Sequence, residues 1–303
     1  MKRVVSVSLG SARRDHRVVV NLLGEEFEVQ RQGTDGDLEA AEHRIRELDG
    51  MVDAIGLGGI DVYLFAGDRR YELRDGLRLK QAAVRSPVVD GSGVKRTLEP
   101  DAVRYLVEEA HLISPASRVL MVSALDRYFM AEAFVEAGCP TTFGDLIFAL
   151  GMPYPIHTLE ELAQIARKML PELAKMPFNM LYPTGKEQEA APSERFAQYY
   201  QEADVVAGDF HYLRKFLPAR MDGKLVLTQT VTREDVEDLR RRGTAYLVTT
   251  TPEMEGRSFA TNVIEGILVA LLGKPPEDVT AEEYRELLHR LDFRPRVEAL
   301  NVP

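Results

Sequence analysis

The chain has 303 residues, 45% of them hydrophobic and 28% charged, with one cysteine and a formal net charge of -10. The apolar share supports a core of normal size, which excludes disorder over the whole chain. A lone cysteine, Cys139, excludes an intramolecular disulfide and a multi-cysteine zinc site, and the acidic balance argues against nucleic acid or an anionic membrane surface as a bulk partner.

In chain order, residues 2–9 alternate and are rich in Val and Ser, which predicts a strand. Residues 17–30 predict a hairpin turning at Leu23-Gly24-Glu25. Asp37 opens an amphipathic helix to Leu48, with Leu38, Ala41, Ile45 and Leu48 on one face. Short apolar runs predict strands at 52–57, 62–66 and 87–89, and helices follow over 75–85 and 99–111. The segment Ile113-Ser114-Pro115-Ala116-Ser117 reads as a domain boundary. Beyond it, strands at 118–122, 141–143, 204–207, 225–228 and 245–249 alternate with helices over 126–137, 158–175, 233–242 and 261–272. Polar residues 183–195 read as a loop or lid.

This alternation implies an α/β fold: an N-terminal mixed α/β domain over 1–114 and a Rossmann-like, doubly wound domain with a mostly parallel sheet and C-terminal helices over 115–303. The longest apolar run, Val263 to Leu272, contains Glu265 and Gly266 and reads as a buried helix. No run approaches the ~18 apolar residues of a membrane span, and the opening Met-Lys-Arg enters a strand pattern directly, so a cytoplasmic protein is expected.

Ligands of open α/β sheets bind beyond the carboxyl ends of the strands, so the turns after the predicted strands are the places to look. Thr249-Thr250-Thr251-Pro252, Gly256-Arg257-Ser258 and Thr261-Asn262 together offer hydroxyls, a guanidinium and a helix N-terminus, which suit a phosphate or carboxylate; a capped helix explains part of the pattern. Asp90-Gly91-Ser92-Gly93-Val94-Lys95 offers a glycine nest for an anion and a lysine able to donate a proton; a tight turn before a helix is the plainer reading. Gly56-Leu57-Gly58-Gly59-Ile60-Asp61 lacks the third glycine of a dinucleotide fingerprint, and Asp61 stays a weak candidate. Ser123-Ala124-Leu125-Asp126 stands where a dinucleotide fold carries glycines, although Asp145 follows at the spacing of a ribose-binding acid; Asp126 also reads as a helix cap. Arg13, Arg14, Asp15 and His16 form a polar cluster after the first strand, and His211 follows the strand at 204–207 as a possible acid or base. Metal-binding motifs are absent, and no metal is expected.

The pieces Val4-Val5-Ser6-Val7-Ser8-Leu9-Gly10-Ser11, Gly56-Leu57-Gly58-Gly59-Ile60-Asp61, Val89-Asp90-Gly91-Ser92-Gly93 and Thr249-Thr250-Thr251-Pro252 through Gly256-Arg257-Ser258-Phe259 resemble a bacterial group of quinate 5-dehydrogenases over nearly the whole chain. The resemblance implies NAD(P)-dependent oxidation of a polyhydroxy carboxylate.

The expectation is therefore an oxidoreductase using NAD or NADP. Lys95 would transfer the proton, with Asp126 or Asp90 as its partner, and such a lysine needs a depressed pKa or a charge partner. Ser123, Asp145, Thr249 and Thr250 would hold the cofactor, and Gly91, Ser92, Gly93, Arg257, Ser258 and Asn262 an anionic substrate. The alternative is a non-catalytic protein that binds or senses a small anion or nucleotide through a degenerate Rossmann domain. Either way the expected partner is a small anionic molecule, with a homo-oligomer allowed. The loops at 56–61 and 90–95 are expected to meet 249–262 across a cleft.

Overall fold

A computed structural model of the chain describes residues 1–181, 194–254 and 257–302. Two mostly parallel sheets carry the architecture. The first uses β1 (Lys2–Ser8), β2 (His16–Leu22), β3 (Glu25–Gly33) and β4 (Ala54–Gly58); after a separate hairpin of β5 (Tyr63–Ala66) and β6 (Arg69–Glu72), β7 (Val88–Val89) completes it in the order β2-β3-β1-β4-β7. The second uses β8 (Val119–Met121), β9 (Thr141–Phe143), β10 (Val205–Ala207), β11 (Leu225–Thr228) and β12 (Tyr246–Thr249). β13 (Glu253–Met254) and β14 (Arg257–Ser258) pair with each other, and β15 (Arg296–Ala299) joins β12 antiparallel, giving β15-β12-β11-β10-β8-β9. The α/β fold expected from the sequence, with mostly parallel sheets, is the fold observed.

The helices are α1 (Leu38–Leu48), α2 (Arg74–Lys80), α3 (Ser92–Glu108), α4 (Tyr128–Glu136), α5 (Asp145–Leu150), α6 (Leu159–Leu173), α7 (Phe178–Leu181), α8 (Ala197–Glu202), α9 (Phe210–Phe216), α10 (Arg233–Arg241), α11 (Thr261–Leu272) and α12 (Ala281–Arg290). Local chemistry starts several of them. The Asp37 carboxylate accepts the N–H groups of Glu39 and Ala40 at the head of α1, whose Ala41, Ile45 and Leu48 are buried. Reciprocal capping boxes, Thr232 with Asp235 and Thr280 with Glu283, open α10 and α12.

Tertiary packing overrides the sequence pattern in two places. α3 begins at Ser92, upstream of the predicted start at 99, and carries Pro100 inside it. A proline favours a helix's first turn, which draws a sequence reading of the start downstream. The extra turns form because α3 is buried at both ends, Val94 and Leu98 in the core of the first sheet and Val103 and Leu106 in that of the second. The C-terminal helices, grouped by sequence with 115–303, pack on the first sheet. Ile264, Ile267 and Leu268 of α11 share a core with Val4, Ala54 and Val89. The approach is close: a Cβ on Gly266 would lie 2.8 Å from Val4 Cγ1, and one on Gly56 2.7 Å from Asn262 Nδ2. In return, Leu64 and Ala66 of the β5–β6 hairpin enter the core around Tyr128, Phe134 and Ala163. The division at 114/115 therefore separates the sheets but not these elements.

Candidate functional site

Each sheet reverses its strand order once. The parallel strands β1, β3, β4 and β7 lie as β3-β1-β4-β7, so the reversal falls between β1 and β4. The strands β8 to β12 lie as β9-β8-β10-β11-β12, and the reversal falls between β8 and β10. At such a point the connections leave in opposite directions and open a crevice beyond the carboxyl ends. The turns there carry Arg14 after β1, Asp61 after β4, Asp126 and Arg127 after β8, and Asp209 and His211 after β10.

The two crevices face each other. Arg14 Nη1 lies 3.4 Å from His211 Nε2, joining the turn after β1 to the turn after β10. From α3, the Lys95 ammonium sits 2.8 Å from the Asp61 carboxylate and donates to the Asp126 carbonyl oxygen at 3.4 Å. Arg127 reaches Glu99 at 3.4 Å, Asp209 at 3.5 Å and the Asp126 carboxylate at 3.8 Å. Asp61 and Asp209 are the more open groups, at 13% and 28% exposed; the Lys95 and Arg127 side chains, at 7% and 6%, and the Asp126 and Glu99 carboxylates lie deeper.

Electrostatics follow from that layering. Burial pulls the Lys95 ammonium down, as does Arg127, but Asp61, Asp126 and Glu99 outweigh both and leave it above the ordinary lysine value. Burial pushes Glu99 up to about 7 against the pull of Arg127 and Lys95, and Asp126 up to about 6 in the same way. Asp209 moves down instead, because His211, Arg127 and the His211 N–H outweigh its burial. Burial, helped by Arg14, lowers His211, so its ring is neutral at pH 7 and accepts the Arg14 N–H. Surface grooves lie elsewhere among the described residues. One, of about 440 Å³, lies at the amino ends of β8 and β9 beside Arg118 and Thr141; the other, of about 530 Å³, lies beside Lys80, Arg85 and Lys274. Neither touches the charged cluster, and the cluster is the better candidate because strand carboxyl ends and both order reversals converge on it.

The family described as Domain of unknown function (DUF8754) matches residues 93–300, more than half of the chain. The chain belongs to that family. Its residues 3–90 match a second family, Domain of unknown function (DUF8753). The DUF8754 match thus takes in α3 and the whole second sheet, and the DUF8753 match the first sheet up to the last residue before the glycine turn. No curated protein matches the chain in sequence. Among solved structures it is similar to a galactofuranose binding protein, at 13% identity over 96% of this chain and 99% of that one, with a TM-score of 0.37. It is similar to the periplasmic binding protein component of the arabinose ABC transporter from Shewanella sp. ANA-3, at 12% identity over 96% of each chain and a TM-score of 0.36. A glucose-galactose binding protein from Geobacillus stearothermophilus gives 9% identity over 98% of this DUF8754 chain and 97% of the other, with a TM-score of 0.39.

These findings correct the resemblance to quinate 5-dehydrogenases, and with it the oxidoreductase activity, the enzyme assignment and the NAD or NADP cofactor. The families matched are the two above, and neither is described as a dehydrogenase. The geometry agrees. In the turn after β8, where a pyrophosphate would lie, the Ala124 and Leu125 N–H groups already donate to the Asp145 carboxylate at 3.0 Å each. Asp145 therefore closes the turn. It is the first residue of α5, and burial lifts its carboxyl to about 7. Ser123 donates to Asp126 instead of facing a phosphate.

The other predicted residues separate in the same way. The nest at Gly91 is filled from within: its N–H donates to Glu265 of α11 at 2.6 Å. Asp90 accepts from the N–H groups of Val62, Tyr63 and Ser92 and fixes the turn. Gly93 lies against Glu265, where a Cβ would meet Oε1 at 2.2 Å. Lys95 has a charge partner, but it is Asp61 at 2.8 Å rather than the carboxylate of Asp126 or Asp90, and its pKa is raised rather than depressed. Thr249 bonds the Thr251 carbonyl, and the buried Thr250 hydroxyl has no partner among the described residues. Asn262 donates to Ser6 Oγ at 2.7 Å and ties α11 to β1. Arg257 and Ser258 form β14, but their side chains lie outside the described residues, as do 183–193 of the expected loop. Gly56 and Gly91 lie against Asn262 and Thr261, but these two open α11, which packs on the first sheet, so this contact is made within the first sheet's core and not across the expected cleft. Sequence reasoning passed over Arg31, Glu99, Arg127 and Asp209. The Asp-Arg pair after β8 and the Gly-Asp pair after β10 were the available signals, and only the strand order gives them meaning.

Proposed function

We propose that the chain is a binding protein, without catalysis of its own, for a small hydroxyl-bearing molecule held between the facing order reversals of the two sheets. The observation that supports it is the layered charge. Asp61 and Asp209 are the more exposed carboxylates of the cluster, and the less exposed Lys95 and Arg127 pair with them. Such oxygens accept from hydroxyl groups, and Arg14 across the gap supplies donors, so a ligand whose groups both donate and accept is matched. The ion pairs also explain why the cluster is stable before a ligand enters: each buried cation has a carboxylate within 4 Å.

The test is a thermal-shift panel of neutral sugars, polyols, sugar acids and nucleotides on the full chain. A ligand at 100 times its dissociation constant stabilises by about 2.7 kcal/mol. The expected result is stabilisation by a hydroxyl-rich compound, lost in Asp209→Asn. Stabilisation that survives both Asp61→Asn and Asp209→Asn, or none across the panel, overturns the reading.

A further inference from the structure

Of the four edge strands of the two large sheets, three are guarded against pairing with another chain. β7 is only two residues long. Phe143 of β9 is bridged antiparallel by Ile156, and β15 sets Arg296 against Glu298 along its length. β2 has no such guard. It is seven residues long, it pairs on its β3 side alone among the described residues, and the seven pairs run without a bulge. Its middle reads Val18-Val19-Val20, and its one fixed charge, Arg17, is met by Glu28 of β3. Val20 and Leu22, with the half-buried Val18, face the core of Phe27 and Val29, while Arg17, Val19 and Asn21 face solvent, Val19 at 47% exposure. Such an edge offers its backbone N–H and C=O groups to a further strand. We propose that β2 is the interface of a homodimer, in which two copies pair antiparallel through it about a two-fold axis at Val19 and join two five-stranded sheets into one. The strand is its own complement in that register. A two-fold keeps core face beside core face only when paired residue numbers have the same parity. Centred on Val19, it sets Val19 against Val19, Val18 against Val20, Arg17 against Asn21 and His16 against Leu22, so no charge meets its like. Val18 and Val20 then extend the apolar core across the axis, and the two Val19 side chains cover each other. Asn21 lies opposite Glu26 within its own sheet, so it stands between that carboxylate and the guanidinium of the facing Arg17; its amide donates to the first and accepts from the second.

The test is sedimentation equilibrium of the full chain over a range of concentrations, with oxidative cross-linking to fix the register. The parent chain is expected to dimerise. Val19→Lys places two like charges directly opposite each other and should raise the dimer dissociation constant roughly tenfold or more. The side chain at 19 already stands in water, so the fold should survive, and far-ultraviolet circular dichroism checks it. Val297→Lys, on the guarded edge β15, should leave dimerisation unchanged. Mild oxidation of Val19→Cys should give a covalent dimer, because directly opposed residues have Cα atoms about 4.5–5.5 Å apart. Asn21→Cys should not, since a run of strand of about 13 Å would separate the two thiols. If Val19→Lys does not fold, the cross-linking pair decides alone. A parent chain that is monomeric at every concentration, a dimer as tight in Val19→Lys as in the parent, or cross-linking of Asn21→Cys in preference to Val19→Cys overturns the proposal.

Discussion

The turn at 90–93 and the turn at 10–14 both leave parallel strands of the first sheet at its carboxyl edge, yet they are filled by opposite charges. At 90–93 the backbone N–H groups meet carboxylates of the same chain, Asp90 under Ser92 and Glu265 under Gly91. At 10–14 two guanidinium groups gather over Gly10 and one looks across to His211. The difference lies in what passes overhead. α11 covers the first turn and brings its own acceptor, so no ligand is needed to satisfy the backbone. Around the second, Arg31 donates to Asp15, the Ser11 carbonyl and Ser8, and Arg14 meets His211 of the second sheet. A glycine nest is thus a poor guide to a ligand when a buried helix runs beside it.

The largest expected effect tests the filled turn. Gly91→Ala or Gly93→Ala should destabilise by about 3 kcal/mol or more, because Gly91 has φ of +94° and each Cβ would strike α11. Urea unfolding measures it, and a change under about 1 kcal/mol would show that α11 does not sit on this turn. Next comes pH. Burial pushes Glu265 up to about 8 from an ordinary value near 4.5, so the folded chain favours its protonated form. That preference stabilises fully below about pH 4.5 and is lost as pH rises through about 8. Unfolding midpoints should fall from about pH 5 to about pH 9, and Glu265→Gln should flatten the fall. An unchanged slope in the variant would remove Glu265 from the account. Asp145→Ala strips the acceptor from two N–H groups and should cost about 2 kcal/mol, measured the same way. The smallest effect marks the surface: Arg118→Gln, whose exposed side chain pairs with the exposed Asp204, should leave stability nearly unchanged. A clear loss in the same urea measurement would show that this pair holds the strand ends together.

Local signals carried much of the fold. Asp37 heads its helix through hydrogen bonds made within three residues, and Thr232 caps α10 likewise. Strand runs such as Val119–Met121 and Leu225–Thr228 are apolar throughout because both faces of a parallel sheet are covered, and that reads directly from residue type. Asp145 shows where such reading turns over. Its spacing from the turn at 123–126 suited a ribose, but it opens α5 and folds back onto that turn.

The sequence by itself marked most of the strands and longer helices, because periodicity and capping act over a few residues, but not the short α5, α8 and α9 or the edge strand β15. It also determined that the fold is α/β with mostly parallel sheets, and it marked the strand-end turns as the places to search. Only the tertiary structure decided which strands adjoin, and therefore that Arg14, Asp61, Arg127 and Asp209 share one site. It decided too that the glycine nest is closed, since Glu265 reaches Gly91 from 174 residues away along the chain. Contacts of that span are set by which buried faces fit one another, and no local pattern of residues encodes the fit.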